Sequence, residues 1–351
     1  MTAPNSRINT DTLLWTGSYT SDSGGQGEGI GAVVAKADGR LVPLGTAAEA
    51  ASPSFLAVHP NLPLVYVVGE FTRTVQAYRR LGDFRLEPAG EPWPAGEAAC
   101  HVAVDRAARF LVVTCWGDGA VILYELDDDG GIVRRLPAAP AKDPHSSTST
   151  DRTSRAHASL MLSGGRIMTT DLGFDVVRVW HHSPGEGLVS DHDVALPYRS
   201  GPRHLVQHPS GTVFVVTEYS VEIAVLQADQ AGRFSLLSVG PATHGGAREG
   251  DSAAEIALSP DARFVYTGIR GSNRISTLKV EADGTRLIPV GDVPSGGNHP
   301  RHHLVRDGWL HVAHERSHDL VTLPLDPATG LPGVPHSRIR MGSPTVLIMA
   351  G

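Results

Sequence analysis

The sequence predicts an all-β protein, a single seven-bladed β-propeller over residues 1–351 whose last blade is closed by the N-terminal strand. Three observations predict it. Glycine and proline are abundant, with 39 and 25 residues, as in folds that have many short strands and tight turns. Pairs of apolar segments recur at the period of a propeller blade. The two ends of the chain carry the two halves of one further repeat.

Each repeat has an apolar segment, a turn, a second apolar segment and then two weaker strands. The first segments end at positions 60, 106, 164, 209, 260 and 307. Four strands in about 40 to 50 residues is the length of one propeller blade. The longest step, between positions 106 and 164, contains the polar segment 141–155, which we expect to be an exposed loop inserted between blades.

The chain ends predict how the ring closes. SPTVLIMAG at the C-terminus repeats the first-segment pattern SPSFLAVHP, but no second segment follows it. LLWTGSYTS near the N-terminus has the pattern of a second segment, so joining the two makes a seventh blade and removes exposed sheet edges. We expect residues 1–12 to be flexible. The alternatives are a two-sheet sandwich or a smaller propeller with an additional domain.

The bulk properties exclude several classes of protein. A formal net charge of −7 does not predict a nucleic-acid or anionic-membrane partner. No apolar run reaches the roughly 18 residues of a membrane helix, and the N-terminus lacks the features of a signal peptide. Two cysteines, Cys100 and Cys115, do not make a disulfide framework. We therefore expect a cytoplasmic protein that is a monomer or a small homo-oligomer.

Polar residues occupy equivalent positions in successive repeats. The start of a first strand and the end of a second strand meet at one face of the ring, because the two strands are antiparallel neighbours. We therefore expect one polar cluster at one mouth of the central channel, either as a functional site or as a plug of ion pairs between blades. Its members are His101, His157, Arg203, Glu255 and Arg301 at first-strand starts, and Glu70, Cys115, Asp171, Glu218, Arg270 and Glu315 at second-strand ends.

Two other patterns are given less weight. His314, Glu315 and His318 form an HExxH string, but zinc proteases need that string on a helix, and here it falls at a strand end. Cys100 and Cys115 lie on neighbouring strands of one blade, where we expect an inert buried pair. GxSxG, P-loop and GxGxxG motifs are absent from the sequence, which argues against the enzyme classes that carry them. We predict no metal site.

Several segments together resemble the β-propeller lactonase family, which includes bacterial 6-phosphogluconolactonases and a fungal carboxy-muconate cyclase. They are WTGSYTS, SPSFLAVHPNLPLVYVVGE, TTDLGFDVVRVW, GPRHLVQHPSGTVFVVTEYS, AAEIALSPDARFVYTGIRGSN and GGNHPRHHLV. The resemblance covers roughly residues 13 to 351. It implies a cofactor-independent site formed by His157, Arg203, Glu218 and Arg270. Two departures are a shorter hairpin after His157 and Glu315 at a position where the family has Asn or Gln.

The residues suit the opening of a lactone ring. Arg203 and Arg270 are expected to stabilise the oxyanion, Glu218 to act as the base, and His157 to donate to the leaving alkoxide. The expected substrate-binding residues are His204, Glu70, Asp171, His299, Arg301 and Glu315, with Arg301, His204 and His299 placed to hold a carboxylate or phosphate.

Three functions are open from the sequence. The first is hydrolysis of a sugar lactone, such as 6-phosphogluconolactone. The second is a muconate-lactonising cyclase reaction that uses the same site in the reverse sense. The third is a binding or scaffold propeller, since the fold alone does not imply catalysis. Burial of the four candidate catalytic side chains in one site would favour an enzyme, whereas an exposed apolar or charged rim would favour a scaffold.

Overall fold

A computed structural model of the protein describes residues 11–351 as seven antiparallel sheets arranged in a ring. Residues 1–10, part of the segment expected to be flexible, lie outside the described residues, and Thr12 is the first residue of strand β1. The described chain contains two short 3₁₀ helices, Ser21–Ser23 and Ala282–Gly284. No helix in residues 11–351 is long and apolar enough to cross a membrane.

The blades are numbered from the first complete repeat. Blade 1 contains β4 (Pro53–Val58), β5 (Leu64–Gly69), β6 (Thr74–Leu81), β7 (Arg85–Pro88) and β8 (Trp93–Pro94). Blade 2 contains β9 (Ala99–Val104), β10 (Phe110–Cys115), β11 (Val121–Leu126) and β12 (Ile132–Pro137). Blade 3 contains β13 (Ala156–Met161), β14 (Arg166–Asp171), β15 (Val176–Ser183) and β16 (Gly187–Ala195).

The remaining blades follow the same order. Blade 4 contains β17 (Pro202–Gln207), β18 (Val213–Thr217), β19 (Glu222–Ala228) and β20 (Phe234–Pro241). Blade 5 contains β21 (Ser252–Leu258), β22 (Phe264–Arg270), β23 (Arg274–Glu281) and β24 (Arg286–Pro294). Blade 6 contains β25 (Pro300–Arg306), β26 (Trp309–His314), β27 (Asp319–Pro324) and β28 (Ser337–Arg340). Blade 7 contains β29 (Pro344–Met349), β1 (Thr12–Ser18), β2 (Ile30–Ala35) and β3 (Leu41–Ala48).

The first strands of the blades surround the central channel. Each first strand contacts the first strand of the next blade, from β4 through β9, β13, β17, β21 and β25 to β29, which contacts β4 again. The ring is therefore closed, and the predicted seven-bladed propeller is confirmed.

Closure takes place inside blade 7, as the two chain ends predict. Strand β1 pairs antiparallel with β29, with Trp15 opposite Ile348 and Gly17 opposite Val346. The Trp15 side chain is fully buried and packs in a cluster with Leu56 of blade 1. The N-terminal strand thus joins the last blade to the first one by both hydrogen bonds and apolar packing.

Both faces of each sheet pack against a neighbouring blade, which explains the long apolar runs in the sequence. In β5, Val65 and Val67 pack toward blade 7, whereas Tyr66 and Val68 pack toward blade 2. Successive side chains of a strand point to opposite faces. A second strand that is buried on both faces therefore has no Asp, Glu, Lys or Arg in its middle, and such residues fall at its ends.

The first strands carry a bulge close to the channel mouth. The pairing register shifts near the start of the first strand in all seven blades, at Pro53/Phe55, Ala156/Ser159, Pro202/Leu205, Ala253/Ile256 and Pro300/His302, opposite Thr114/Cys115 in blade 2 and opposite Gly17/Ser18 in blade 7. A bulge places an additional residue against the partner strand and redirects the side chains around it. The side chains of two consecutive residues, such as Arg203 and His204, can therefore both lie at the channel mouth.

The segment 141–155, expected to be an exposed loop, contains no strand and is held to blade 3. The Arg152 guanidinium is largely buried and forms ion pairs with Asp143, at 2.8 Å, and with Asp175. His145 Nε2 lies 2.8 Å from the Leu196 carbonyl oxygen. These contacts fix the backbone just before β13, which carries His157.

Candidate active site

The candidate site lies at the end of the ring where the first strands begin and the second strands end. The register places Pro202 opposite Thr217, and Ser252 opposite Arg270. Polar residues at the two kinds of position therefore meet at one mouth, as the strand directions predict.

An arginine–glutamate–arginine cluster joins blades 4 and 5. Glu218 Oε2 lies 2.9 Å from Arg203 Nε and 2.9 Å from Arg270 Nη2. Arg270 Nη2 also donates to the Ala253 carbonyl oxygen at 3.1 Å. Both arginine side chains are buried, and Glu218 is partly buried. One carboxylate oxygen therefore holds two guanidinium groups side by side in the channel.

Charge and burial act in opposite directions on this cluster. Burial alone would raise the pKa of Glu218, but Arg270 and Arg203 outweigh it and hold that pKa below its ordinary value. Burial, followed by repulsion from Arg270, lowers the pKa of Arg203 to about 10. At neutral pH Glu218 and Arg203 are charged, and Glu218 is a weaker base than an ordinary glutamate.

His157 lies on β13, beside the cluster. Its side chain is buried, its Nδ1 has no hydrogen-bond partner among the described residues, and its ring centre is 5.1 Å from that of His204. The Thr114 hydroxyl donates to the His157 carbonyl oxygen at 2.8 Å, which fixes the strand there. Burial, then the charges of Arg203 and its neighbours, hold the pKa of His157 well below its usual range. It is neutral at pH 7.

A second cluster is built on Glu255, which the sequence analysis placed at the mouth without giving it a role. Glu255 Oε2 lies 2.8 Å from His204 Nδ1 and 3.4 Å from His302 Nε2, and Oε1 accepts the Ile256 N–H at 3.1 Å. Burial and then Arg203 hold the pKa of His204 well below its usual range. Burial lowers the pKa of His302 to about 3. We assign neutral His204 the tautomer with its proton on Nδ1, the nitrogen beside Glu255, which leaves Nε2 as an acceptor.

A third cluster joins blades 6, 7 and 1 around Arg301. Its Nη1 donates to Glu315 Oε2 at 3.0 Å, and its Nη2 donates to the Tyr19 hydroxyl at 2.6 Å and lies 4.0 Å from Glu70 Oε2. The Tyr19 hydroxyl is also within hydrogen-bond distance of both Glu70 oxygens, at 3.2 and 3.1 Å. The sequence analysis did not single out Tyr19. Tyr19 directly follows β1, the second strand of blade 7. The rule that polar residues at the ends of second strands face the channel mouth therefore applies to it as well.

His299 lies at the edge of this third cluster. Its Nε2 is 3.9 Å from Glu315 Oε2. Burial lowers the pKa of His299 to about 4, against the attraction of Glu315. Arg301 outweighs burial at Glu315 and holds its pKa below the ordinary value. His299 is thus a further neutral imidazole at the mouth.

Two residues of the predicted set have other surroundings. Both carboxylate oxygens of Asp171 accept hydrogen bonds from nearby loop residues, namely the Ser154 hydroxyl and the backbone N–H groups of Arg155, Gly173 and Phe174. Cys115 is fully buried, and burial raises the pKa of its thiol to about 12. Asp171 therefore organises the loop ahead of His157, and its expected contact with a substrate stays a prediction.

The HExxH string lies at the end of β26 and in the following turn, not on a helix. His314 Nδ1 is 3.0 Å from Asp319 Oδ1, Glu315 pairs with Arg301, and His318 Nδ1 accepts the Ser343 N–H at 3.1 Å. The three side chains thus have three separate partners. In residues 11–351, no three His, Cys, Asp or Glu side chains are grouped so as to hold a metal ion.

Exposed aromatic rings surround part of the mouth, a feature that the sequence analysis missed. Phe71, Trp116 and Tyr219 are 50%, 39% and 51% exposed, and each follows the polar or cysteine residue at the second-strand end of its blade. Arg155 lies over the Trp116 ring, 3.9 Å from its centre. The mouth therefore has buried charges inside and aromatic faces outside. A separate cavity of about 550 Å³, lined by Arg263 and Phe264, lies at the opposite end of blades 5 and 6.

Fold and site define a closed β-propeller with one buried, charged axial site. Comparison with known families identifies the family to which such a protein belongs. The model of the family "Lactonase, 7-bladed beta-propeller" matches residues 13–349. The chain belongs to this lactonase family.

Two relatives and one solved structure are similar over most of this chain. A 6-phosphogluconolactonase of Bacillus subtilis is 26% identical over 81% of this chain and 83% of its own length. The uncharacterized protein YwcC of Lactococcus lactis is 31% identical over 71% of this chain and 74% of its own. The structure of PpgL, a periplasmic gluconolactonase of Pseudomonas aeruginosa, is similar with a TM-score of 0.87, at 25% identity, over 97% of this chain and 99% of that one.

Proposed function

We propose that this protein hydrolyses the ring ester of a sugar lactone with a gluconolactone skeleton, at the channel mouth between blades 3 and 6. One observation carries the proposal. Arg203 and Arg270 are held together by a single oxygen of Glu218, beside histidines that burial keeps neutral. Cationic donors next to neutral imidazoles are the groups that ester hydrolysis needs.

The two arginines are assigned to the oxyanion. When water attacks the lactone carbonyl, negative charge develops on the carbonyl oxygen, and preorganised donors stabilise it. Arg203 Nη1 is buried and has no hydrogen-bond partner among residues 11–351. A guanidinium group stays charged and presents planar N–H donors in a fixed arrangement. The free donor of Arg203 is therefore available to the developing charge.

The geometry favours a different base from the one expected on the sequence. Glu218 is occupied by two arginines, which hold its pKa low, so we assign it the positioning of the arginines. His204 is the better base, because its Nδ1 lies 2.8 Å from Glu255 Oε2, and a proton on that nitrogen leaves Nε2 as the acceptor. A carboxylate that holds an imidazole in one tautomer in this way is a recurring device in hydrolases.

The proton and bond changes balance with these roles. His204 Nε2 takes a proton from the attacking water, the new C–O bond forms, and the ring C–O bond breaks. The protonated His204 then gives this proton to the leaving alkoxide, because His157, expected from the sequence to be the donor, is neutral and could donate only by becoming an imidazolate. The carboxylic acid that forms then ionises, so each turnover releases one proton to the solvent. The substrate is thus a small-molecule lactone.

Proton release tests the proposal. Purified protein is added to glucono-1,5-lactone and to 6-phosphoglucono-1,5-lactone in a pH-stat, with and without EDTA. We expect acceleration above spontaneous hydrolysis with at least one lactone, unchanged by EDTA. If neither lactone is hydrolysed faster than in buffer, the proposal is wrong. The next probes are then a carboxylated muconolactone, for the cyclase reaction, and protein partners of a scaffold.

A further inference from the structure

The formal charges of the three clusters do not favour an anionic substrate. Three arginines, Arg203, Arg270 and Arg301, are accompanied by four carboxylates, those of Glu70, Glu218, Glu255 and Glu315. Burial holds the pKa of His157, His204 and His302 low, so these imidazoles add no positive charge at pH 7. The channel mouth therefore has no excess of buried positive charge with which to bind a phosphate dianion.

Arg301, expected from the sequence to hold a carboxylate or phosphate, already has a partner at each of its two terminal nitrogens. One of its terminal nitrogens donates to Glu315 at 3.0 Å, and the other donates to the Tyr19 hydroxyl at 2.6 Å. The guanidinium also lies over the Tyr19 ring, 4.7 Å from its centre. A phosphate could bind Arg301 only by breaking these contacts and by approaching Glu315 and Glu70, which repel it.

The loops around the channel mouth also do not favour an anionic ligand. Acidic residues outnumber basic ones in the loops at this end of the ring, and Arg316 is the exposed cation next to Glu315. The rim presents the aromatic rings of Phe71, Trp116 and Tyr219. Aromatic faces with a few placed polar groups suit an uncharged ligand with apolar C–H faces, such as a sugar ring.

From these observations we infer that the site takes an uncharged aldonolactone, and that Glu315 excludes the phosphorylated form. The carboxylate of Glu315 both neutralises Arg301 and faces the mouth beside His299. A glutamine there would retain the size of the side chain and a hydrogen bond to Arg301, but would leave one positive charge uncompensated. The inference deepens the proposed lactonase function and rests on it.

The ratio of kcat/KM values for glucono-1,5-lactone and its 6-phosphate tests the inference. Wild type should prefer the uncharged lactone by about tenfold or more, since one extra negative charge near a phosphate is worth at least a factor of ten at short range. Glu315→Gln should reduce this preference by about tenfold, mainly through a better kcat/KM for the phosphorylated lactone. The matched control is Glu97→Gln, which removes an exposed carboxylate paired with Arg73 at 3.0 Å and should leave the ratio unchanged.

The possible results separate the two proposals. A wild type that prefers the phosphorylated lactone overturns the inference but supports the lactonase function. An unchanged ratio in folded Glu315→Gln overturns the role of Glu315. If that variant does not fold, Glu70→Gln and competition by gluconate against 6-phosphogluconate on wild type are the second measurements; tighter inhibition by the phosphate ester overturns the inference. No acceleration with either lactone overturns the proposed function and the inference with it.

Discussion

At the scale of single residues, charge and burial together determine which group can act as a base. Glu218 has two guanidinium partners that hold its pKa low. His204 is neutral because burial disfavours its charged form, and Glu255 lies beside its Nδ1. The charged and titratable groups around His204 lie on several strands of the ring. They are Arg203 on β17, His101 on β9, His157 on β13, Glu218 after β18, Glu255 on β21, Arg270 on β22, and Arg301 and His302 on β25.

The Glu255→Gln variant tests this assignment through the pH dependence of kcat/KM. Activity should require unprotonated His204, so it is retained at neutral pH and lost as the pH falls through the lowered pKa of this histidine. Removing the negative charge of Glu255 lowers that pKa further. The acidic limb should therefore move to lower pH, while the plateau falls about ten- to a hundredfold.

A merely structural role of Glu255 makes a different prediction. Activity would then fall without any movement of the acidic limb. Glu70→Gln, at the far side of the mouth, serves as the control for loss of a carboxylate and should leave the limb where it is in wild type. If the acidic limb of the pH profile of Glu255→Gln stays where it is in wild type, His204 is not the base.

At the scale of the elements, the bulges and the N-terminal strand position the site. Because of the bulge at the start of β17, the neighbouring residues Arg203 and His204 belong to two different clusters. Arg203 pairs with Glu218, and His204 lies beside Glu255. Strand β1 closes the ring and brings Tyr19 to Arg301. The third cluster therefore depends on closure, since its Tyr19 comes from the opposite end of the chain.

Trp15→Ala should weaken the closing blade. The Trp15 side chain is fully buried against blades 7 and 1, and removing a buried tryptophan costs about 3–5 kcal/mol. Urea unfolding followed by circular dichroism should show that loss in the free energy of unfolding. Met349→Ala is the matched control, because Met349 lies on the paired strand but is 52% exposed. Equal effects of the two substitutions would contradict the packing described for this blade.

At the scale of the whole molecule, buried neutral histidines couple stability to pH. Burial lowers the pKa of His311 to about 3, aided by Arg306, and the ring is held by Thr322 at 2.8 Å, within blade 6. In the unfolded chain a histidine has a pKa near 6.5. The unfolded state therefore binds more protons as the pH falls below about 6.5, and the folded state becomes less stable.

The free energy of unfolding should accordingly decrease between pH 7.5 and pH 5.5. Each histidine whose folded pKa lies well below this range contributes a loss of about 1.4 kcal/mol. In His311→Asn, the decrease over this range should be smaller by about that amount, as measured by urea unfolding at the two pH values. His181→Asn, at an exposed position on β15, should retain the decrease of wild type. A His311→Asn variant with the same pH dependence as wild type would show that the pKa of His311 is not lowered in the folded state.

Much of this architecture follows from the sequence. The repeat of paired apolar segments predicted the blades, the patterns at the two chain ends predicted the closure, and the antiparallel direction of neighbouring strands placed Arg203, Glu218 and Arg270 at one mouth. The role of Glu255 was not predictable, since it depends on a bulge that turns His204 toward a neighbouring blade. The hydrogen bonds of Asp171 to its own loop were also not predictable from the sequence. A carboxylate at a strand end can accept hydrogen bonds from its own loop as easily as it can face the channel.

The central claim is that the arginine pair at the mouth stabilises the oxyanion of a lactone, and Arg203→Ala tests it most directly. The measurement is the rate of proton release from glucono-1,5-lactone by wild type, Arg203→Ala and Arg263→Ala, an exposed arginine at the opposite end of the ring. We expect kcat to fall about 100- to 1000-fold in Arg203→Ala and to be unchanged in Arg263→Ala. A folded Arg203→Ala protein that hydrolyses the lactone within twofold of the wild-type rate would contradict the account.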